Sequence, residues 1–147
     1  MPQAQREEFR HFTPMSVHWG DMDCLGHVNN VIFFRYIESG RIAYFNDLLG
    51  KDPNIWGGEG PILADIQCQF ITQLRYPAEL EVGTRTARLG GKSLTLESAV
   101  FIKGGSEPAA LSRAVVVWFN YKQQQSVVLS QALRAAFNDY ERVKPEQ

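Results

Sequence analysis

With 147 residues, 44% of them hydrophobic and 21% charged, and a formal net charge of −1, the chain has the profile of one globular domain spanning residues 1–147. The near-neutral charge excludes a general basic surface for nucleic acid, and no apolar run approaches the roughly 20 residues of a membrane helix. Residues 1–12 carry acids and no apolar core, unlike a secretory signal, and Cys24 and Cys68 form neither a CxxC motif nor a disulfide framework, so a reducing cytoplasm is the expected location.

Residues 15–19 have the pattern of a short strand. They run into HWGDMDCLGHVNN, residues 18–30, where two aspartates, two histidines, a cysteine and two asparagines crowd together. Residues 31–49 predict a helix. Asn29 or Asn30 can cap its start, because an asparagine side chain accepts from the free N–H groups of a first turn. Gly50 is a good helix stop. The first two turns are apolar on nearly every side (Val31, Ile32, Phe33, Phe34, Tyr36, Ile37), which predicts a helix wrapped by the rest of the fold. Arg35, Glu38 and Arg41 are spaced for i,i+3 pairing at its edge.

A Pro- and Gly-marked loop, KDPNIWGGEG, follows. The hydrophobic period then changes to two. In ILADIQCQFITQL, residues 62–74, Ile62, Ala64, Ile66, Cys68, Phe70 and Leu74 share one face, and Asp65, Gln67, Gln69 and Gln73 share the other. Residues 80–89, 93–103 and 110–121 predict three more strands. The connections RYPAE, GGK and GGSEP are too short for crossovers, so successive strands should be antiparallel neighbours. Residues 130–140 close the chain as a short helix with Leu133, Phe137 and Tyr140 on one face. These parts predict an α+β fold in which about five antiparallel strands curve around one long central helix. The sheet edges invite pairing with a second copy.

The string WGDMDCLGHVNNVIFFRYIESGR strongly resembles the opening motif of the hotdog-fold acyl-CoA thioesterases of the 4-hydroxybenzoyl-CoA thioesterase type. That motif is Asp-x-Asp-x-x-Gly-x-Val followed by an aromatic-rich helix carrying Glu and Arg. CQFITQLRYPAELEVGT and GGKSLTLE resemble the family's second strand and next hairpin, so the resemblance covers residues 14–121. The GHVNN form is like that of bacterial thioesterases acting on fatty acyl-CoA or similar substrates.

The resemblance implies hydrolysis of an acyl-CoA to a free carboxylic acid and coenzyme A. A thioester is already activated. Its hydrolysis needs a carboxylate, as nucleophile or general base, and donors for the developing oxyanion. A helix N-terminus offers such donors, because its first N–H groups lack internal partners and its dipole is positive. By the family's pattern the second aspartate, Asp23, is the catalytic one, and the backbone N–H of Asn30 meets the carbonyl oxygen. From spacing alone Asp23 reads more readily as a turn or cap residue, and it is the resemblance that favours catalysis. Asp21 is read as structural, holding the loop through backbone N–H groups, and Gly26 as the site of a tight or left-handed turn. His27 and Asn29 are candidates for lining the thioester site, against a surface histidine and a capping asparagine. Gly91, Lys92 and Ser93 form a hairpin turn that either contacts coenzyme A phosphates or carries a solvated lysine. Arg88 is a weaker candidate for that charge, and Trp56 for a roof over the acyl pocket.

Other chemistries fit less well. Asp-x-Asp opens Mg2+-dependent haloacid-dehalogenase phosphatases, but there a buried parallel strand precedes it, and here Trp19-Gly20 does. In an EF-hand, Leu25 and Ile32 would replace oxygen ligands. His18, Asp21, Asp23 and His27 have no recognised metal spacing, and Cys24 with His27 lacks a third group. Glu38 is the alternative carboxylate, as in hotdog enzymes that place it on the central helix, and an acyl-thioester binding protein on the same fold is the non-enzyme alternative. No metal or cofactor is expected. The family's site lies between subunits, so a homodimer or homotetramer is expected, with Lys92 serving the neighbouring chain's Asp23.

Overall fold

The computed structural model describes residues 5–50 and 58–147. Trp56 therefore lies outside the described residues. The elements run β1 (His11–Ser16), α1 (Asn30–Leu49), β2 (Glu59–Phe70), β3 (Glu79–Leu89), β4 (Ser93–Ile102), β5 (Pro108–Asn120), the two-residue β6 (Gln125–Ser126) and α2 (Gln131–Tyr140), with short 3-10 turns at Arg6–Glu8 and Trp19–Asp21.

The strands form one antiparallel sheet in the order β1-β3-β4-β5-β2, with β6 on β5. It curls around α1 as the α+β hotdog fold. The two hairpins β3–β4 and β4–β5 are neighbours, as their short links predict. The link between β2 and β3 is not a hairpin. β2 ends at Phe70, not at residue 74, and pairs with β5, so residues 71–78 cross from one side of the sheet to the other. Eight residues can span up to ~26 Å, enough for that crossing. Leu74 belongs to this crossing segment, where it is buried and its carbonyl accepts from Val28 N–H at 2.8 Å.

A second correction concerns which residues of β2 face α1. The register slips between Leu63 and Asp65. Directly paired residues project to the same face. Leu63 pairs with Val116, which packs among the core residues around α1, whereas Ile62 pairs with Val117 on the outer face. The bulge at Ala64 thus breaks the simple alternation, and the α1 face resumes at Ile66 and Cys68. Beyond the bulge only these two are half-buried. Ile62, Leu63 and Phe70 are exposed in the single chain, because β2 is an edge strand with no strand beyond it among the described residues.

α1 begins where the Asn29 side chain accepts from Val31 N–H at 3.0 Å, so Asn29 is its cap, and it ends at Gly50. Its core face carries Phe33, Tyr36, Ile37, Gly40, Arg41, Tyr44 and Phe45. Gly40 lies so close to β3 that a Cβ there would sit 2.8 Å from Val82 Cγ1. The helix is not wrapped all round, since Val31 (65% exposed) and Ile42 remain open. Of its charged residues, Arg41 is buried 4.0 Å from Glu38, and burial holds its guanidinium below the ordinary range. Two apolar clusters fill the concave side, one around Phe33 and Leu80 near the start of α1, the other around Phe45, Leu94 and Phe137 near its end. α2 closes the second cluster through Phe137, Leu133 and Tyr140.

Candidate active site

The loop between β1 and α1 is shaped by its own aspartates. Asp21 is 7% exposed. Its Oδ2 accepts from the backbone N–H of His18 at 2.9 Å and from the Tyr36 hydroxyl at 2.6 Å, and its carbonyl accepts from Asn29 N–H. Burial alone would raise its pKa, but those hydrogen bonds, with His18 and Arg35 nearby, hold it below the usual carboxylate range. Burial and Asp21 push the Tyr36 phenol up. Asp23 is half-buried and organises the tip. Its Oδ1 accepts from Leu25 N–H at 2.9 Å, its N–H donates to the His27 carbonyl, and its own carbonyl accepts from Gly26 N–H. Gly26 takes φ +81°, the left-handed region where a side chain is strained.

The loop delivers Asp23 to the mouth of a cleft of about 260 Å³ at the start of α1. Asp23, His27 and Asn30 line it together with Leu25, Val28, Phe33, Phe70, Ile71, Thr72 and Gln73. Its apolar floor is built from Phe33 of α1 and Phe70 of β2, edge to face at 5.4 Å between centroids. The hydrogen bonds of the first turn are specific. Val31 N–H goes to the Asn29 side chain and Ile32 N–H to the Asn29 carbonyl. The N–H of Asn30 finds no acceptor among the described residues, and it is at the cleft.

Of the residues singled out from sequence, Asp23, His27 and Asn30 thus come together. Asn29 is next to them but acts as the cap, and Gly26 shapes the turn; neither lines the cleft. Gly91, Lys92 and Ser93 are remote within one chain. Their turn adjoins Leu89, Leu94 and Leu129 in the cluster around the end of α1, and Gly91 carbonyl accepts from Leu129 N–H. A 20-residue helix puts its two ends about 30 Å apart. Glu38 is exposed beside Arg41 and does not line the cleft. Cys24 is an exposed free thiol. Among the described residues no group of three or more His, Cys, Asp or Glu side chains could hold a metal ion, and no helix is long and apolar enough to cross a membrane.

Two neighbours escaped sequence reasoning. Tyr36 looks like one more aromatic of the helix, and only its 2.6 Å bond to Asp21 sets it apart. Arg75, in the crossing segment, has a guanidinium nitrogen 3.0 Å from His27 Nε2. Nothing in the spacing of residues 27 and 75 signals that contact.

The family model of the thioesterase-like superfamily matches residues 17–137. The PA5185 protein of Pseudomonas aeruginosa is 31% identical and superposes with a TM-score of 0.85 over 99% of this chain and 100% of its own. A thioesterase from Thermus thermophilus solved with coenzyme A and Zn is 32% identical, with a TM-score of 0.79 over 92% of this chain and 96% of its own. The YsmA protein of Bacillus subtilis is 34% identical over 94 residues, which is 64% of this chain and 63% of YsmA. By fold, by the family match and by these relatives, the chain belongs to the thioesterase-like superfamily, the thioester hydrolases of the hotdog fold.

Proposed function

We propose that the protein hydrolyses an acyl-CoA to a free carboxylic acid and coenzyme A. The observation that carries the reading is the shared cleft of Asp23 and the unpaired Asn30 N–H. The acyl group enters the cleft against Phe33 and Phe70. Its carbonyl oxygen accepts from Asn30 N–H, where the positive end of α1 stabilises charge that grows as the carbonyl carbon becomes tetrahedral. The Asp23 carboxylate either attacks that carbon, giving an anhydride that water then hydrolyses, or takes a proton from the attacking water. In both routes the C–S bond breaks, coenzyme A leaves as the thiol, and water supplies the oxygen of the acid. The choice of coenzyme A is supported by the Thermus relative, which was solved with that molecule.

The working unit on this reading is a homodimer or homotetramer. Among the described residues the outer edge of β2 has no partner strand, and Phe70 and Ile71 at its end are exposed. A second copy seated there covers them. It also offers a route by which Gly91, Lys92 and Ser93 of one copy reach the cleft of the other, where Lys92 meets coenzyme A phosphates. Asn29 and Gly26 then contribute by fixing the backbone that the thioester meets.

The test is thiol release from a panel of acyl-CoAs, short and long, aliphatic and aromatic, with and without a chelator. Turnover that survives chelation is expected. Tight binding without turnover would favour the non-catalytic binding protein, and activity lost with a chelator and restored by Mg2+ would favour the Asp-x-Asp phosphatase reading.

A further inference from the structure

We infer that His27 is a second oxyanion donor, and that Arg75 is the positioning residue that keeps it one. The inference rests on the reading of Asp23 and Asn30 as the thioester site. Its starting point is a shortage. Oxyanion sites commonly use more than one donor, yet the Asn29 cap occupies the N–H groups of Val31 and Ile32, leaving that of Asn30. A side chain at the cleft can supply a second donor, and His27 lines it beside Asp23 and Asn30.

A neutral imidazole has one N–H and one bare nitrogen, and its partners decide which is which. Arg75 settles the matter here. A guanidinium only donates, so the His27 Nε2 that it meets at 3.0 Å must be the bare, accepting nitrogen. The ring's hydrogen is then on Nδ1, which has no partner among the described residues. The contact with Arg75 thus sets His27 as an Nδ1–H donor, while its backbone carbonyl accepts from Asp23 N–H and ties it to the loop that carries the carboxylate.

The experiment combines nitrogen NMR of the histidine rings with kinetics on an acyl-CoA that the protein hydrolyses. In the parent protein, His27 should show a protonated Nδ1 and a bare Nε2. In Arg75→Gln the ring should shift toward the Nε2–H form. The kcat of Arg75→Gln should fall about three- to tenfold with little change in KM, because the ring no longer holds its N–H on Nδ1. His27→Ala should lose about 10–10²-fold in kcat with little change in KM. A parent ring protonated on Nε2, or a His27→Ala enzyme with parental kcat, overturns the inference. A fully active Asp23→Asn protein would instead overturn the underlying site assignment, and the NMR result on the parent protein is independent of that outcome.

Discussion

The hydroxyl of Tyr36 donates to Asp21 Oδ2 at 2.6 Å, across the junction between the second turn of α1 and the loop that carries Asp23. The same oxygen accepts from His18 N–H, and the Asp21 backbone carbonyl accepts from Asn29 N–H, so one buried residue ties together the loop's entrance, its exit and the helix. This gives the two aspartates of the motif different work. Asp21 Oδ2 takes two donors from within the protein; Asp23 lines the cleft. Tyr36→Phe removes the hydrogen bond with almost no change in shape. It should cost about 1.5–3 kcal/mol, the usual worth of a hydrogen bond to a charged group, in urea unfolding. A variant as stable as the parent would mean that the contact does not hold the loop.

A second buried carboxylate makes stability depend on pH. Glu141, 3% exposed at the end of α2, accepts from Thr86 N–H at 3.2 Å and from the Tyr44 hydroxyl at 3.3 Å. Burial pushes its pKa up to about 7, against the opposing pull of those bonds and of Arg85 and Arg10. A folded-state pKa above the unfolded value near 4.5 means that the folded protein holds the proton more tightly. Stability is therefore greatest below about pH 4.5 as far as this group is concerned, falls as pH rises to about 7, and stays reduced above that. Glu141→Gln removes the buried charge. It should match the parent near pH 4.5 and exceed it at pH 8 by up to about 3 kcal/mol in denaturant unfolding. An equal or lower stability at pH 8 would show that the bonds to Thr86 and Tyr44 outweigh the burial.

Lys92 tests the assembly. Its turn is near the far end of α1 from Asp23 of the same chain, so any contribution to that cleft must come from a second copy. Lys92→Ala should raise KM for acyl-CoA more than it lowers kcat, because a phosphate contact remote from the thioester binds ground and transition states alike. It should also weaken the salt dependence of binding. Light scattering should show a dimer or larger at assay concentration. A fully active monomer would end the shared-site reading, and an unchanged KM would make Lys92 a hairpin lysine.

Much of this molecule could be read from residue pattern. α1 announced itself through Asn29, its apolar first turns and Gly50, and the two Gly-containing links fixed β3, β4 and β5 as neighbours. What pattern could not supply was non-local. β2 carries its alternation on past Phe70 to Leu74, so its true end, and with it the crossing to β3, depends on pairing with β5. The bulge at Ala64 swaps the faces of Ile62 and Leu63 without leaving a turn residue behind. β1 starts at His11, earlier than its hydrophobic pattern suggests, because Pro14 is tolerated on an edge strand that pairs only with β3. In the cleft, Asp23 and Asn30 were legible because loop and helix are contiguous in sequence. Arg75, 48 residues from His27, was not.

Asp23→Asn is the decisive substitution. The amide is nearly the size of the carboxylate, and its oxygen can still accept from Leu25 N–H, the 2.9 Å bond that shapes the loop tip, so the fold and the cleft should persist. What disappears is the negative charge. The amide cannot attack the thioester as a carboxylate does, and it is too weak a base to activate water. The expected loss is on the order of 10²–10⁴-fold in kcat for a general base, and greater for a nucleophile, with little movement in KM. Asp21→Asn and Glu38→Gln are the comparisons. Asp21 is enclosed by Tyr36 and His18, so its variant should lose stability before chemistry, and exposed Glu38 does not line the cleft, so its variant should retain most of its kcat. A near-normal kcat for Asp23→Asn beside a large loss in Glu38→Gln would move the catalytic carboxylate onto the helix and leave Asp23 as the residue that folds the loop.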